Sequence, residues 1–116
     1  MSRKASNLMP QVAFSILFAL SLKPRHGYEL MQQIEHDSKG IVKIGPGALY
    51  GTIKQLRDED LIEEVPSEQD RRRYYRLTRK GLNRLGAELS YFENTVKLAQ
   101  QRSLLAGDTK AVLWAV

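Results

Sequence analysis

Apolar side chains recur at helical spacing in four segments of the chain, which predicts four helices. The first spans about Leu8–Leu22 and must end before Pro24, because proline cannot continue the hydrogen-bond ladder of a helix. The second spans about Tyr28–Asp37. Their inner positions are Val12, Ile16, Leu17 and Leu20 in the first helix and Leu30, Met31 and Ile34 in the second. We expect the first helix to be largely buried, because Phe14 adds a second apolar side.

The third segment, Gly45–Leu61, has an apolar stripe on one face and small or charged residues on the other. Pro46 suits the first turn of a helix, and Leu49, Ile53 and Leu56 form the stripe. The opposite face carries Gly47, Gly51, Lys54 and Asp58, with Tyr50 and Arg57 on one flank. A glycine inside a helix costs about 1 kcal/mol relative to alanine, so the two glycines favour a close approach to a ligand surface. The alternative is that Gly47 belongs to the helix entry and Gly51 packs on a neighbouring helix.

Two short strands follow the third helix and predict a hairpin. They span Leu61–Val65 and Arg73–Leu77, and Pro66–Arg72 is the connecting turn. Alternation along the second strand places Tyr75 inward. An earlier segment, Ser38–Ile44, reads as a loop with room for another short strand.

The fourth helical segment runs from about Arg79 to Ala106, with Thr78 as its N-cap and Gly107 as its end. Its apolar positions form a heptad seam of Leu82, Leu85, Leu89, Phe92, Val96 and Ala99. A seam of this length is more than so small a domain can cover, so we expect a homodimer held by this helix. The alternative is a helix folded back on its own domain. The apolar tail Asp108–Val116 then docks on the partner or on the first helix.

Acidic and basic residues are segregated along the chain, and this pattern bears on the predicted function. The protein has 116 residues and a net charge of +5. From Asp58 to Asp70 there are seven acidic residues and no basic one, whereas Arg71 to Arg84 holds seven basic residues and no acidic one. This pattern favours one surface that attracts phosphates. Arg71, Arg72 and Arg73 lie at or near the hairpin tip, where they are either solvated and paired with acids or in contact with a phosphate backbone.

A second candidate for phosphate binding is the start of the second helix. Lys23, Arg25 and His26 precede it, and the first N–H groups of a helix are free to bind an anion. A metal site from His26, His36 and Asp37 is disfavoured, because neighbouring positions 36 and 37 do not share a helix face. The other reading of His26 is a turn residue without a ligand.

Several functional classes are disfavoured by composition. The chain has no cysteine, which excludes a disulfide scaffold, a thiolate zinc finger and a cysteine nucleophile, and fits a reducing cytoplasm. The most apolar segment, Val12–Leu22, is shorter than the roughly 20 residues that a membrane span needs. We find no phosphate loop or defensible catalytic triad, so we expect neither an enzyme nor a cofactor.

Three stretches together resemble the PadR family of bacterial transcriptional regulators. They are HGYEL at 26–30, GPGALYGTIKQLRDEDLIE at 45–63 and RRRYYRLTRKG at 71–81. The resemblance implies a mainly α winged helix-turn-helix with a small β-hairpin over residues 1–78, and a long C-terminal dimerisation helix and tail over 79–116. It also implies a regulator, most often a repressor, that binds a palindromic operator in double-stranded DNA as a homodimer.

The resemblance also assigns candidate DNA contacts. They are His26 and Tyr28 at the second helix, Gly47, Tyr50, Gly51 and Lys54 on the recognition helix, and Arg71, Arg72 and Arg73 on the wing. Some members bind flat aromatic compounds between subunits. Here Tyr91 and Phe92 lie in the seam, but Trp114 follows the predicted helix end, which argues against a drug pore and leaves a small aromatic effector open. The competing function is a winged-helix module that binds an acidic protein.

Overall fold

The structure is a computed structural model that describes residues 7–67 and 70–105. In chain order the elements are α1 (Gln11–Leu20), β1 (Arg25–His26), α2 (Gly27–Asp37), α3 (Pro46–Asp58), β2 (Ile62–Val65), β3 (Tyr74–Leu77) and α4 (Arg79–Gln101). The fold is therefore mainly helical with a small antiparallel sheet, which confirms the predicted fold class. We call the segment Ile62–Leu77 the wing.

The core forms where α1, α2 and α3 turn their apolar stripes towards one another. The most deeply buried side chains include Ile16, Leu17, Leu30, Ile34, Leu49 and Leu61. Tyr75 of the wing joins this core at 3% exposure, as the strand alternation predicted. Burial of Leu49, Ile53 and Leu56 fixes the rotation of α3, so its opposite face must point outward.

The sheet has three strands in the order β1-β3-β2, one more than the sequence pattern indicated. β1 is two residues long and pairs with the wing through Arg25 opposite Tyr75 and His26 opposite Tyr74. So short a strand leaves no alternation to detect. The pairing joins the start of α2 directly to the wing.

Several predicted boundaries are wrong by a few residues. α1 begins after Pro10 and ends at Leu20, well before Pro24. α4 ends at Gln101 because Ser103 takes a left-handed conformation with φ of 57°, and the Leu104 N–H donates to the Ala99 carbonyl. Gly107 and the tail Asp108–Val116 lie outside the described residues. The segment Ser38–Ile44 contains no strand.

The chain groups into two units, Met1–Leu85 and Gly86–Val116. The first turn of α4 belongs to the first unit, where Thr78 Oγ1 accepts from the Gly81 N–H at 3.0 Å as the predicted N-cap. Gly81 lies so close to the Leu61 backbone that a Cβ would collide with the Leu61 carbonyl. The second unit is the remainder of α4 and the residues after it. The predicted division at residues 78 and 79 remains a prediction.

Candidate nucleic-acid interface

The outward face of α3 has two glycines in its first half, followed by one basic and one acidic residue. Its exposed residues are Gly47, Tyr50, Gly51, Lys54 and Asp58. Lys54 Nζ lies 3.1 Å from Asp58 Oδ2, and both side chains are mostly exposed. An exposed pair of this kind contributes little to stability. Lys54 is therefore free to leave Asp58 for a phosphate or a base edge at small cost.

The two glycines of α3 do not serve packing against any residue that the structure describes. A Cβ built on Gly47 or Gly51 meets no neighbouring atom within 4 Å. Close packing of Gly51 on another helix, the alternative considered above, is therefore wrong. The open space in front of both residues is consistent with approach of an external surface.

A third glycine, Gly27, is required for a contact inside the site. A Cβ at Gly27 would collide with the Tyr50 ring, whose Cζ lies 2.7 Å from the Cβ position. The side chain of Tyr50 thus crosses the first turn of α2, which orients its half-exposed ring. Gly27 is a site residue that the sequence reasoning overlooked.

A cleft of about 400 Å³ lies where α2, α3 and the wing meet. It is lined by His26, Gly27, Tyr28, Tyr50, Arg72, Arg73 and Tyr75. Five of the nine candidate DNA contacts therefore share one concave surface although they come from three elements. Gly47, Gly51, Lys54 and Arg71 do not line the cleft.

His26 is buried at 5% exposure, and its ring caps α2. The Glu29 N–H faces His26 Nδ1 at 3.3 Å, while the His26 N–H donates to Glu29 Oε1 at 3.2 Å. This is a capping box with histidine in place of serine or threonine. The expectation of entirely free N–H groups at this helix end is therefore wrong.

Arg25, expected beside a bound phosphate, is also turned inward. It is 9% exposed, and its Nε donates to the Ala19 carbonyl at 3.1 Å. That carbonyl belongs to the last turn of α1, where backbone acceptors lack helical partners. Arg25 therefore completes the end of α1 and is withdrawn from the candidate surface.

The turn that leads into β3 is organised by Asp70. The Arg72 N–H donates to Asp70 Oδ1 at 2.9 Å, and the Tyr74 hydroxyl donates to Asp70 Oδ2 at 3.1 Å. The bond from the Arg72 N–H is the main reason that the pKa of Asp70 lies below its ordinary 3.8. Desolvation is the main cause that raises the pKa of Tyr74 above its ordinary 10.0, and the hydrogen bond that the Tyr74 hydroxyl donates to Asp70 is the second. The sequence contains this signal, because an aspartate two residues before the bonded N–H is typical of an Asx turn.

The three wing arginines have different surroundings. Arg72 Nη1 lies 2.8 Å from His26 Nε2. Arg73 Nε lies 3.8 Å from Glu64 Oε2, and Arg57 of α3 approaches the other oxygen of Glu64 at 3.6 Å. Within residues 7–67 and 70–105, Arg71 has no hydrogen bond or ion pair. Glu64 therefore neutralises part of the positive charge that Arg57 and Arg73 bring to the candidate surface.

The predicted seam of α4 is exposed for most of its length. Leu82, Leu89, Phe92 and Val96 are 38–49% exposed, and Ala99 is half-buried. Leu85 is the exception, because it is 3% exposed and belongs to the core of its own chain. Its assignment to a dimer interface is therefore corrected: this seam position already has its partners within the monomer.

Two absences concern the described part of the chain. No helix in it is long and apolar enough to cross a membrane. Residues 7–67 and 70–105 also contain no group of three histidine or acidic side chains placed to hold a metal ion.

Comparison with known proteins finds a family whose model matches this chain. The model of the transcriptional regulator PadR-like family matches residues 16–87, more than half of the chain. A curated protein of Lysinibacillus sphaericus, described as uncharacterized, is 34% identical over 71 residues. That match covers 58% of this chain and 65% of the relative, slightly less than two thirds of its length.

Solved structures show the same fold. A transcriptional regulator from Clostridium thermocellum is 27% identical with a TM-score of 0.67, over 78% of this chain and 87% of that one. A PadR-like transcription factor from Bacteroides fragilis is 25% identical with a TM-score of 0.63, over the same shares of the two chains. A PadR family regulator from Clostridium difficile, at 24% identity, shares the fold with a TM-score of 0.68 over 79% of this chain and 97% of its own.

Proposed function

Because the chain belongs to the PadR-like family of transcriptional regulators, we propose that it is a DNA-binding regulator that represses transcription as a homodimer on a palindromic operator. The observation that carries the proposal is the single concave surface shared by α2, α3 and the wing. It combines exposed tyrosines with two arginines, the groups that contact phosphates and base edges. A repressor of this kind would act in the cytoplasm by covering its promoter.

In this proposal α3 enters the major groove. The groove is about 12 Å wide and admits one helix. Gly47 and Gly51 would allow the helix backbone to approach the bases, since none of the described residues occupies the space in front of them. Lys54 and Tyr50 flank that space and would supply polar contacts to base edges or phosphates.

The wing and the start of α2 would contact the DNA backbone beside the groove. Tyr28 is 62% exposed and lines the same cleft as Arg72 and Arg73. Arg71, which has no partner among the described residues, would add a further phosphate contact. These contacts position the protein on DNA, whereas α3 would read the sequence.

The homodimer would form through the exposed part of the α4 seam. Leu89, Phe92 and Val96 recur with the heptad spacing of a coiled coil, and each is more than a third exposed in the monomer. Two-fold symmetry would place two α3 helices on half-sites related by a palindrome. We make no proposal of an effector.

Binding to duplex DNA that carries the promoter region of the protein's own gene tests the proposal. Affinity should fall steeply with salt, with a slope of about −0.9 in log K against log salt for each phosphate neutralised. Absence of a shifted complex at low salt would contradict it. An affinity that does not fall with salt and is the same for a scrambled duplex would contradict the proposal that the protein recognises a specific DNA sequence.

Arg72→Ala should reduce the magnitude of that salt slope by about 0.9, because one phosphate contact is removed. Lys97→Ala is the matched control. Lys97 is an exposed cation on α4, paired with Glu93 at 3.8 Å and remote from α3 in sequence. Equal slopes in wild type, Arg72→Ala and Lys97→Ala would remove Arg72 from the phosphate contacts.

A further inference from the structure

The two nitrogens of the His26 ring each face an N–H donor. The Glu29 N–H lies 3.3 Å from Nδ1, and Arg72 Nη1 lies 2.8 Å from Nε2. An arginine guanidinium has donors only, and so does a backbone N–H. A neutral imidazole offers one acceptor and one donor, and its protonated form offers two donors. No protonation state available to the ring can therefore accept both hydrogen bonds together.

The geometry favours Arg72 over the helix cap in the free protein. Hydrogen bonds from charged donors are shorter and stronger than neutral ones, and the contact to Arg72 is the shorter of the two. The distance from the Glu29 N–H is just beyond the usual range of about 2.7–3.2 Å. The other half of the capping box, from the His26 N–H to Glu29 Oε1, does not involve the ring and persists in either tautomer.

The surroundings of the His26 ring hold it in place between these two donors, Arg72 Nη1 and the Glu29 N–H. It packs edge to face on Tyr74, with ring centroids 5.2 Å apart, and is almost fully buried. Asp70 fixes the backbone of Arg72 while His26 holds its guanidinium, so this arginine is held at both ends. Glu29 Oε1 lies 3.6 Å from Nε2, too far to accept a good hydrogen bond from it.

We propose that His26 is a positioning residue that binds the wing arginine Arg72 through Nε2 in the free protein and returns to capping Glu29 through Nδ1 when Arg72 leaves. In the first state the ring proton is on Nδ1, and in the second it is on Nε2. This step rests on the proposed function: the group that draws Arg72 away from His26 is a DNA backbone phosphate. The change of tautomer lets Nδ1 accept a hydrogen bond from the Glu29 N–H. This bond partly replaces the one that is lost when Arg72 leaves Nε2.

Histidine ring ¹⁵N spectra of the free protein test the proposal without DNA. The chain has two histidines, and His36 is exposed on α2, so it serves as an internal reference. We expect the protonated nitrogen of His26 to be Nδ1 in wild type and Nε2 in Arg72→Ala. Arg71→Ala is the matched control and should resemble wild type. The same His26 tautomer in wild type and Arg72→Ala, or the Nε2-protonated form in wild type, would overturn the proposal.

A second measurement adds duplex DNA to the wild-type protein. A complex in which His26 takes the Arg72→Ala tautomer supports exchange of Arg72 from the ring to a phosphate. A formed complex in which His26 stays protonated at Nδ1 overturns that exchange. If no complex forms, the proposed function fails, while the spectra of the free variants still decide the role of His26.

Discussion

At the scale of single residues, helical glycines that look alike in the sequence have opposite structural roles. Gly27 and Gly81 have neighbours so close that a Cβ would collide with Tyr50 or with the Leu61 backbone. Gly51 and Gly86 lie on helices with open space around the Cβ position. The first pair serves the fold, whereas a glycine of the second kind weakens its helix without a packing reason.

Gly51→Ala should therefore stabilise the protein and weaken its binding to DNA. The gain in helix propensity is about 1 kcal/mol, equivalent to a rise in Tm of about 4–8 °C for a domain of this size. Thermal unfolding and DNA titration of the same variant measure both effects. Gly86→Ala is the control, and we expect the same stabilisation with unchanged affinity. Undiminished affinity in Gly51→Ala would show that clearance at this position is not needed.

Lys54→Ala should weaken binding to the operator by about 1–3 kcal/mol, the usual range for a lost base contact. Its ion pair with Asp58 is exposed, so the free energy of unfolding should change little. Lys97→Ala removes the same kind of i,i+4 pair from α4 and controls for charge and helix effects. Equal losses of affinity in the two variants would indicate a general charge effect instead of a contact by α3.

At the scale of elements, the wing is held to α2 and α3 by polar contacts at its edges. β1 pairs with β3, His26 contacts Arg72, and Glu64 lies between Arg57 and Arg73. Tyr75 anchors the wing to the core. The turn beyond it depends on the carboxylate of Asp70, which makes the wing sensitive to acid.

Acidification should loosen this turn. Because the folded pKa of Asp70 is below its ordinary 3.8, the stabilisation is present above that pH and is lost as the pH falls through the lowered value. The Arg72 amide should then lose its hydrogen bond, seen as a shift change and faster exchange by NMR. Asp70→Asn retains the acceptor oxygen and should remove this pH dependence. An Arg72 amide that titrates alike in both proteins would contradict the assignment to Asp70.

At the scale of the whole molecule, the α4 seam would determine whether the two candidate DNA-binding surfaces of the proposed homodimer work together. Leu85 is covered by its own chain, so the seam positions available to a second copy are the exposed ones, above all Leu89, Phe92 and Val96 after it. A dimer binds two half-sites at once, and a monomer must bind each half-site alone. Operator affinity should therefore depend on the oligomeric state.

Phe92→Arg should convert the proposed dimer to a monomer, because it places a charge in the centre of the exposed seam. Light scattering after gel filtration measures the mass, and titration of a palindromic duplex measures the loss of affinity. Asn94→Arg places the same charge on the far side of the helix, two residues away, and should remain dimeric. A wild-type protein that is monomeric at micromolar concentration would refute the proposed assembly.

The sequence alone determined the helices, the wing and the two faces of α3, because these follow from periodicity within one segment. Leu49, Ile53 and Leu56 were recognisable as a buried stripe from their spacing, and the burial of Tyr75 followed from strand alternation. Helix ends were less predictable, since the left-handed turn at Ser103 carries no glycine signal.

Only the tertiary structure decided what the polar residues of the site contact. Arg25 and His26 looked like free cations beside a helix end, yet one completes α1 and the other lies against Arg72, 46 residues further along the chain. Leu85 likewise looked like any other seam position until the core covered it. A sequence pattern records spacing within an element. The partner of a side chain depends on which elements pack together, and that is a property of the folded chain.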